Sequence, residues 1–146
     1  HRLEPLGCIG GTQVFNDSKA TNYDAAAVGL RAMQGPVVVL AGGATKQGDA
    51  SDWLRELHRK ACAVVLFGSG ADELQGLITT AGFPGRLTLC KALPAAVDQA
   101  VQSAEALGAS NLLLSPACAS FDQYRDFEAR GDHFKQLIQQ VQSGTN

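Results

Sequence analysis

Pro36-Val37-Val38-Val39-Leu40-Ala41-Gly42-Gly43-Ala44-Thr45-Lys46-Gln47-Gly48-Asp49 is the stretch on which the fold turns. Its continuous apolar run, Val37 to Ala41, lacks the alternation of a half-exposed strand and reads as one buried on both faces, as in a parallel sheet. The glycine-rich loop that follows leads into a helix. Ser51 is placed to cap that helix, and Trp53, Leu54 and Leu57 form its inner face.

The same alternation extends outward in both directions. Downstream, Ala63-Val64-Val65-Leu66-Phe67 reads as a second buried strand. Leu74, Leu77, Ile78 and Ala81 recur at helical spacing, and Arg86 to Cys90 gives a shorter strand. Val97, Ala100, Val101 and Ala104 mark another helix, and Leu112-Leu113-Leu114 a last strand. A final helix presents Phe134, Leu137, Ile138 and Val141. Upstream, two strands flank Gly10-Gly11, a good hairpin turn. The polar segment Asn16 to Asn22 then precedes an alanine-rich helix over about Tyr23 to Met33. Strands separated by amphipathic helices require right-handed crossovers and a mostly parallel sheet covered on both sides. The expected fold is an α/β three-layer sandwich: a six-stranded, mostly parallel, Rossmann-like sheet with an N-terminal hairpin, in one domain over 1–146.

Bulk properties exclude several classes. The chain has 146 residues, 45% hydrophobic and 18% charged, with 12 basic against 14 acidic side chains and a net charge of −2. It is long enough for a real core. No basic stripe marks a nucleic-acid binder, and no apolar run approaches a membrane span. Four cysteines at positions 8, 62, 90 and 118 form no CxxC pair, so they read as reduced, mostly buried small residues and not as a zinc site. No metal ligands are expected. Without a signal peptide the expected compartment is the cytoplasm. The start at His1 is read as a processed end or, rather, a cut from a longer protein.

Three unusual polar segments follow directly after strands: 16–22, 42–49 and 115–123. In an open parallel sheet, ligands bind beyond the carboxyl ends of the strands, so all three should share one rim. The first brings Asp17, Lys19 and Thr21 within five residues. That set suits a ligand with phosphate or hydroxyl groups, or equally a solvated loop with Thr21 or Asn22 as N-cap. Lys46 is a candidate anion anchor or a plain surface lysine. In the third segment, Ser120 and Gln123 fit a capping box whose helix start would favour an anion. Cys118 reads as a packing residue, His58 as solvated, and His133 as structural in a charged turn with Arg130 and Asp132. Gly68-Ser69-Gly70 begins a dinucleotide fingerprint, but Glu73 stands where its third glycine belongs. A receiver domain fails too, since the strand 63–67 ends in Gly68 and not in an aspartate.

The segments Asn16-Asp17-Ser18-Lys19-Ala20-Thr21-Asn22, Gly42-Gly43-x-x-Lys46, Ser115-Pro116-Ala117-Cys118-Ala119-Ser120-Phe121-Asp122 and Phe127-Glu128-x-Arg130-Gly131-Asp132-x-Phe134 closely resemble the Mur ligases. Within that family they look like the branch that adds D-glutamate in peptidoglycan synthesis. The resemblance spans essentially the whole chain. It implies the C-terminal domain of a three-domain, ATP-dependent, amide-forming ligase, inactive alone and packed against a central domain. That central domain would carry the P-loop, the Mg2+ ligands and a carbamylated lysine. The implied substrates are ATP, D-glutamate and UDP-N-acetylmuramoyl-L-alanine.

By the same resemblance, Lys46 and Ser120 hold the carboxylates of D-glutamate, with Thr21, Phe121 and Phe127 shaping the pocket. Lys19 lies near the reacting phosphate. Arg2 faces the terminal phosphate of ATP, Asp17 its ribose and His1 its base. The alternatives are a related Mur-type or folylpolyglutamate-type ligase domain, or a non-catalytic module for a small anion.

Overall fold

A computed structural model describes residues 1–144. The elements run β1 (Glu4–Ile9), β2 (Thr12–Asn16), α1 (Tyr23–Ala32), β3 (Val37–Gly42), α2 (Ser51–Lys60), β4 (Ala61–Phe67), α3 (Ala71–Thr80), β5 (Arg86–Leu89), α4 (Leu93–Leu107), β6 (Asn111–Leu114) and α5 (Phe127–Gln142). One six-stranded sheet has the order β1-β2-β6-β3-β4-β5. Only β1 runs antiparallel, joined to β2 through the Gly10-Gly11 turn. All six residues of β3 are buried, as its unbroken apolar run requires.

Two cores fill the space above and below the sheet. Residues of α1, α2 and α3, with Trp53 and Leu30 among them, pack on one face. Residues of α4 and α5, including Phe134 and Ile138, pack on the other. Leu137 and Val141 lie only partly buried at the margin of that second core. Among the described residues, no helix is long and apolar enough to cross a membrane.

Several local expectations change. Asn22, not Thr21, caps α1, its side chain accepting from Ala25 N–H at 2.8 Å. Ser51 does not cap α2: Asp49 accepts its N–H at 2.9 Å, so the carboxylate two residues earlier takes that role. No helix begins at Ser120. Asp122 accepts from Ser69 N–H at 2.9 Å and the Gln123 side chain donates to Lys91 O at 2.8 Å. Both side chains reach toward the ends of β4 and β5, and residues 121–126 stay in turns. The helix starts at Phe127, with Asp126 accepting Ala129 N–H at 2.8 Å. His133 therefore lies within α5 and not in a turn; its Nδ1 meets the Tyr124 hydroxyl at 2.6 Å. Of the cysteines only Cys118 is fully buried; Cys62 and Cys90 are half-buried and Cys8 is exposed.

Candidate functional site

The chain leaves β2 and β3 for helices on one face of the sheet, but leaves β6 for α5 on the other. β6 lies between β2 and β3 and runs parallel to both, so the face to which the connections leave switches on both sides of it. Each switch opens a crevice where connections diverge. The three polar segments rise at these two crevices.

Backbone bonds stitch the three loops into one rim. Asp17 N–H donates to Leu114 O at 2.8 Å and Ala117 N–H to Ala20 O at 2.9 Å, joining the loops after β2 and β6. Gly42 N–H donates to Pro116 O at 3.0 Å, and Ala44 and Ala119 exchange a pair of bonds, joining the loops after β6 and β3. Gly43 lies where this weave is tightest. Its φ is +126°, and a Cβ there would meet the carbonyl oxygen of Ala119 and stand 3.1 Å from Cys118 Cβ. Ala117 holds a left-handed φ of 62° with no room around it, a strain that the neighbouring bonds sustain.

On this rim the Lys46 ammonium donates to Thr21 Oγ1 at 3.4 Å, across 25 positions of sequence. Thr45 bonds Glu73 of α3 at 3.1 Å, which fastens the base of the lysine loop. Lys46 is exposed and Thr21 half-buried. Ser120 is buried beside Ala119, whereas Phe121 points outward with 74% of its surface exposed. Phe127 is half-buried, its ring edge-on to His1 at 6.1 Å.

Asp17 is buried beneath a cavity of about 160 Å³ lined by Arg2, Leu3, Lys19, Ala20, Ala25, Val28 and Gly29. Its carboxylate accepts from Leu3 N–H at 3.1 Å and from the Ser115 hydroxyl at 3.4 Å. Burial pushes it up to about 6, outweighing those hydrogen bonds and the charge of Arg2. The folded state therefore binds the Asp17 proton more tightly than the unfolded chain, whose reference is 3.8. The associated stability is complete below that value and is lost as pH rises through about 6. An Asp17→Asn variant keeps the acceptor for Leu3 N–H without the charge. Urea unfolding from pH 4 to 7 should show the native protein losing up to about 3 kcal/mol relative to that variant. Parallel pH curves would contradict the buried-carboxylate account.

His1 rests on the site from outside. Its Nδ1 meets Asn16 Nδ2 at 2.9 Å, and its Nε2 is 3.6 Å from Asp132. Gly131 leaves the space for the ring, since a Cβ there would collide with it. Arg2, Asp17 and Lys19 thus gather at one cavity with His1 on the adjoining edge. Thr21 and Lys46 gather at the neighbouring crevice.

Three residues that sequence reasoning left without a role organise the rim. Asn16 Oδ1 accepts Ser18 N–H at 3.1 Å, while its Nδ2 donates to Glu4 at 3.0 Å. Ser18 donates to Phe127 O at 2.7 Å. Arg130 of α5 is 0% exposed and donates to Ser18 Oγ (3.0 Å), Ser18 O (2.9 Å) and Cys118 O (3.1 Å). A signal for it existed: position 130 precedes Phe134 by four, on the helical face that Ile138 and Val141 continue. Cys118 packs as expected, its thiol pushed up to about 12 by burial. Among the described residues, no three His, Cys, Asp or Glu side chains gather as metal ligands.

A family model described as the glutamate ligase domain of Mur ligases matches residues 1–118. A UDP-N-acetylmuramoylalanine–D-glutamate ligase of Parasynechococcus marenigrum is 79% identical over 146 residues, all of this chain and 32% of that protein. The Synechococcus elongatus ligase of the same name is 49% identical over 99% of this chain and 31% of its own length. The chain therefore spans about a third of the curated relatives it matches. Among solved structures, Mycobacterium tuberculosis folylpolyglutamate synthase complexed with ADP and AMPPCP aligns with a TM-score of 0.64 at 18% identity. It covers 93% of this chain and 31% of that one, a likeness of fold alone.

Proposed function

As this chain belongs to the Mur ligase family, matching its glutamate ligase domain, we propose that it delivers D-glutamate for ATP-dependent amide formation within a longer, three-domain enzyme. The acceptor is UDP-N-acetylmuramoyl-L-alanine, whose carboxylate takes a phosphoryl group from ATP to give an acyl phosphate and ADP. The D-glutamate amine then attacks the acyl carbon, forming the amide and releasing phosphate. This chain's part is to bind and orient the amine donor and to close over the nucleotide.

The observation that carries the reading is the Lys46–Thr21 contact across the crevice beside β6. It brings an ammonium and a hydroxyl, from the loops after β3 and β2, within reach of one small ligand, and Ser120 follows directly on the Ala44–Ala119 bridge that joins the loops after β3 and β6. A dianionic amino acid matches that set through charge-assisted hydrogen bonds. Phe121 and Phe127 are assigned to its border on their motif resemblance alone. Lys19, on the cavity side, faces the phosphoryl group in transfer, where a fixed cation offsets developing charge. Arg2, Asp17 and His1 then take the terminal phosphate, the ribose and the base of ATP. Mg2+ is assigned to the central domain. The exposed Phe121 and Val28, 74% and 59% accessible, suit burial against that domain.

The test is phosphate release by the full-length enzyme with the UDP-linked acceptor and a panel of amino acids. D-Glutamate should be used in strong preference to L-glutamate, D-aspartate and folate-linked glutamate. Preference for any of the others would overturn the assignment.

A further inference from the structure

Arg130 presents a puzzle that the substrate contacts do not absorb. Its guanidinium is entirely buried, yet all three of its acceptors are neutral: one hydroxyl and two carbonyl oxygens. Buried charges ordinarily pair with an opposite charge, because desolvation is costly otherwise. A spacer that only filled volume between α5 and the rim would be apolar. What a guanidinium alone supplies is a planar fork with donors in fixed, divergent directions. Here Nε and Nη2 close on Ser18, in the loop after β2, while Nη1 closes on Cys118, in the loop after β6. One rigid group therefore spans two loops that leave neighbouring parallel strands. Next to Ser18 is Lys19, with Thr21 two residues on; two residues after Cys118 is Ser120.

We propose that Arg130 is a positioning residue for the amino-acid site, its fork holding the loops after β2 and β6 at one separation and so setting the distance from Thr21 and Lys19 to Ser120. This rests on the D-glutamate reading above. The same guanidinium adds positive potential behind the rim, which the carboxylates of a bound diacid offset. Gly43 bears on the arrangement too: a Cβ there would lie 3.2 Å from Arg130 Nη1, so the loop after β3 seals the third side of the fork.

The test uses the full-length enzyme with Arg130→Lys, which keeps the charge and loses the fork, and Arg130→Ala, which leaves a guanidinium-sized space. Misplacing a binding group by about 1 Å is worth one to two orders of magnitude. Arg130→Lys should therefore raise KM for D-glutamate at least about tenfold, and by more than KM for ATP, whose assigned contacts Asp17 and Lys19 share only the loop after β2. Millimolar ethylguanidinium should lower the raised KM of Arg130→Ala. If neither variant folds, Ser18→Ala, which removes one acceptor, should show a smaller rise, again larger for D-glutamate than for ATP. Unchanged KM for D-glutamate, or all constants falling together with the folded fraction and no rescue, overturns the proposal. Lys46→Ala run in parallel separates the two claims. If Lys46→Ala raises KM for D-glutamate and Arg130→Lys does not, the positioning role fails alone; if Lys46→Ala has no effect, the parent reading fails.

Discussion

Gly43→Ala is expected to cost about 3 kcal/mol, from a left-handed φ that alanine tolerates poorly and a Cβ driven into the Ala119 carbonyl. At this chain length that corresponds to a fall in melting temperature of roughly 10 °C. The collision is with backbone, so no rotamer change relieves it. Relief requires parting Ala44 from Ala119, and with them the loops after β3 and β6. Gly43 also accepts Gly70 N–H at 2.8 Å and donates to Phe67 O at 3.1 Å, so the displacement spreads to the end of β4. Gly76, in the exposed middle of α3 with nothing near its absent Cβ, is the matched control. Alanine there should stabilise by about 0.5–1 kcal/mol. Thermal melts of the two variants should shift in opposite directions; a Gly43→Ala melt equal to the native one would mean that the loops do not meet as described.

Lys46→Ala should leave the fold intact, because the side chain is exposed and its one hydrogen bond, to Thr21, is long at 3.4 Å. Its effect should fall on the amino-acid substrate. Loss of one charge-assisted contact is worth on the order of 1.5–3 kcal/mol, a rise in KM for D-glutamate of roughly 10- to 150-fold. Ser120→Ala should move the same constant in the same direction, by less, since a hydroxyl carries no charge. Steady-state kinetics of the full-length enzyme decide it. An unaltered KM in both variants would remove these residues from the site while leaving the fold and the family untouched.

Strands and helices were legible because their cause is local. The Val37–Ala41 run needs no partner to announce burial on both faces, and the spacing of Leu74, Leu77 and Ile78 needs none to announce a helix. The same logic misled at Ser120, where capping chemistry is correct but competes with distant acceptors and donors. Ser69 N–H claims Asp122, and Lys91 O claims Gln123, from positions 53 and 32 residues away. No window of sequence contains that competition. Ser51 shows the short-range version, its N–H bound to Asp49 two residues back.

The functional rim divides the same way. Which side chains sit at strand ends follows from the order of elements, and for that reason Asp17, Lys19, Thr21, Lys46 and Ser120 could be named from sequence and motif resemblance. Their assembly depends on β6 inserting between β2 and β3, a pairing between residues about 75 to 100 positions apart. Periodicity reports burial but not the neighbour that causes it. The buried charge of Arg130, the raised proton affinity of Asp17 and the intolerance of Gly43 to a methyl group all belong to that second category. Each arises from groups brought together only when the sheet closes, because desolvation and steric contact are properties of the folded space around a residue and not of the chain beside it.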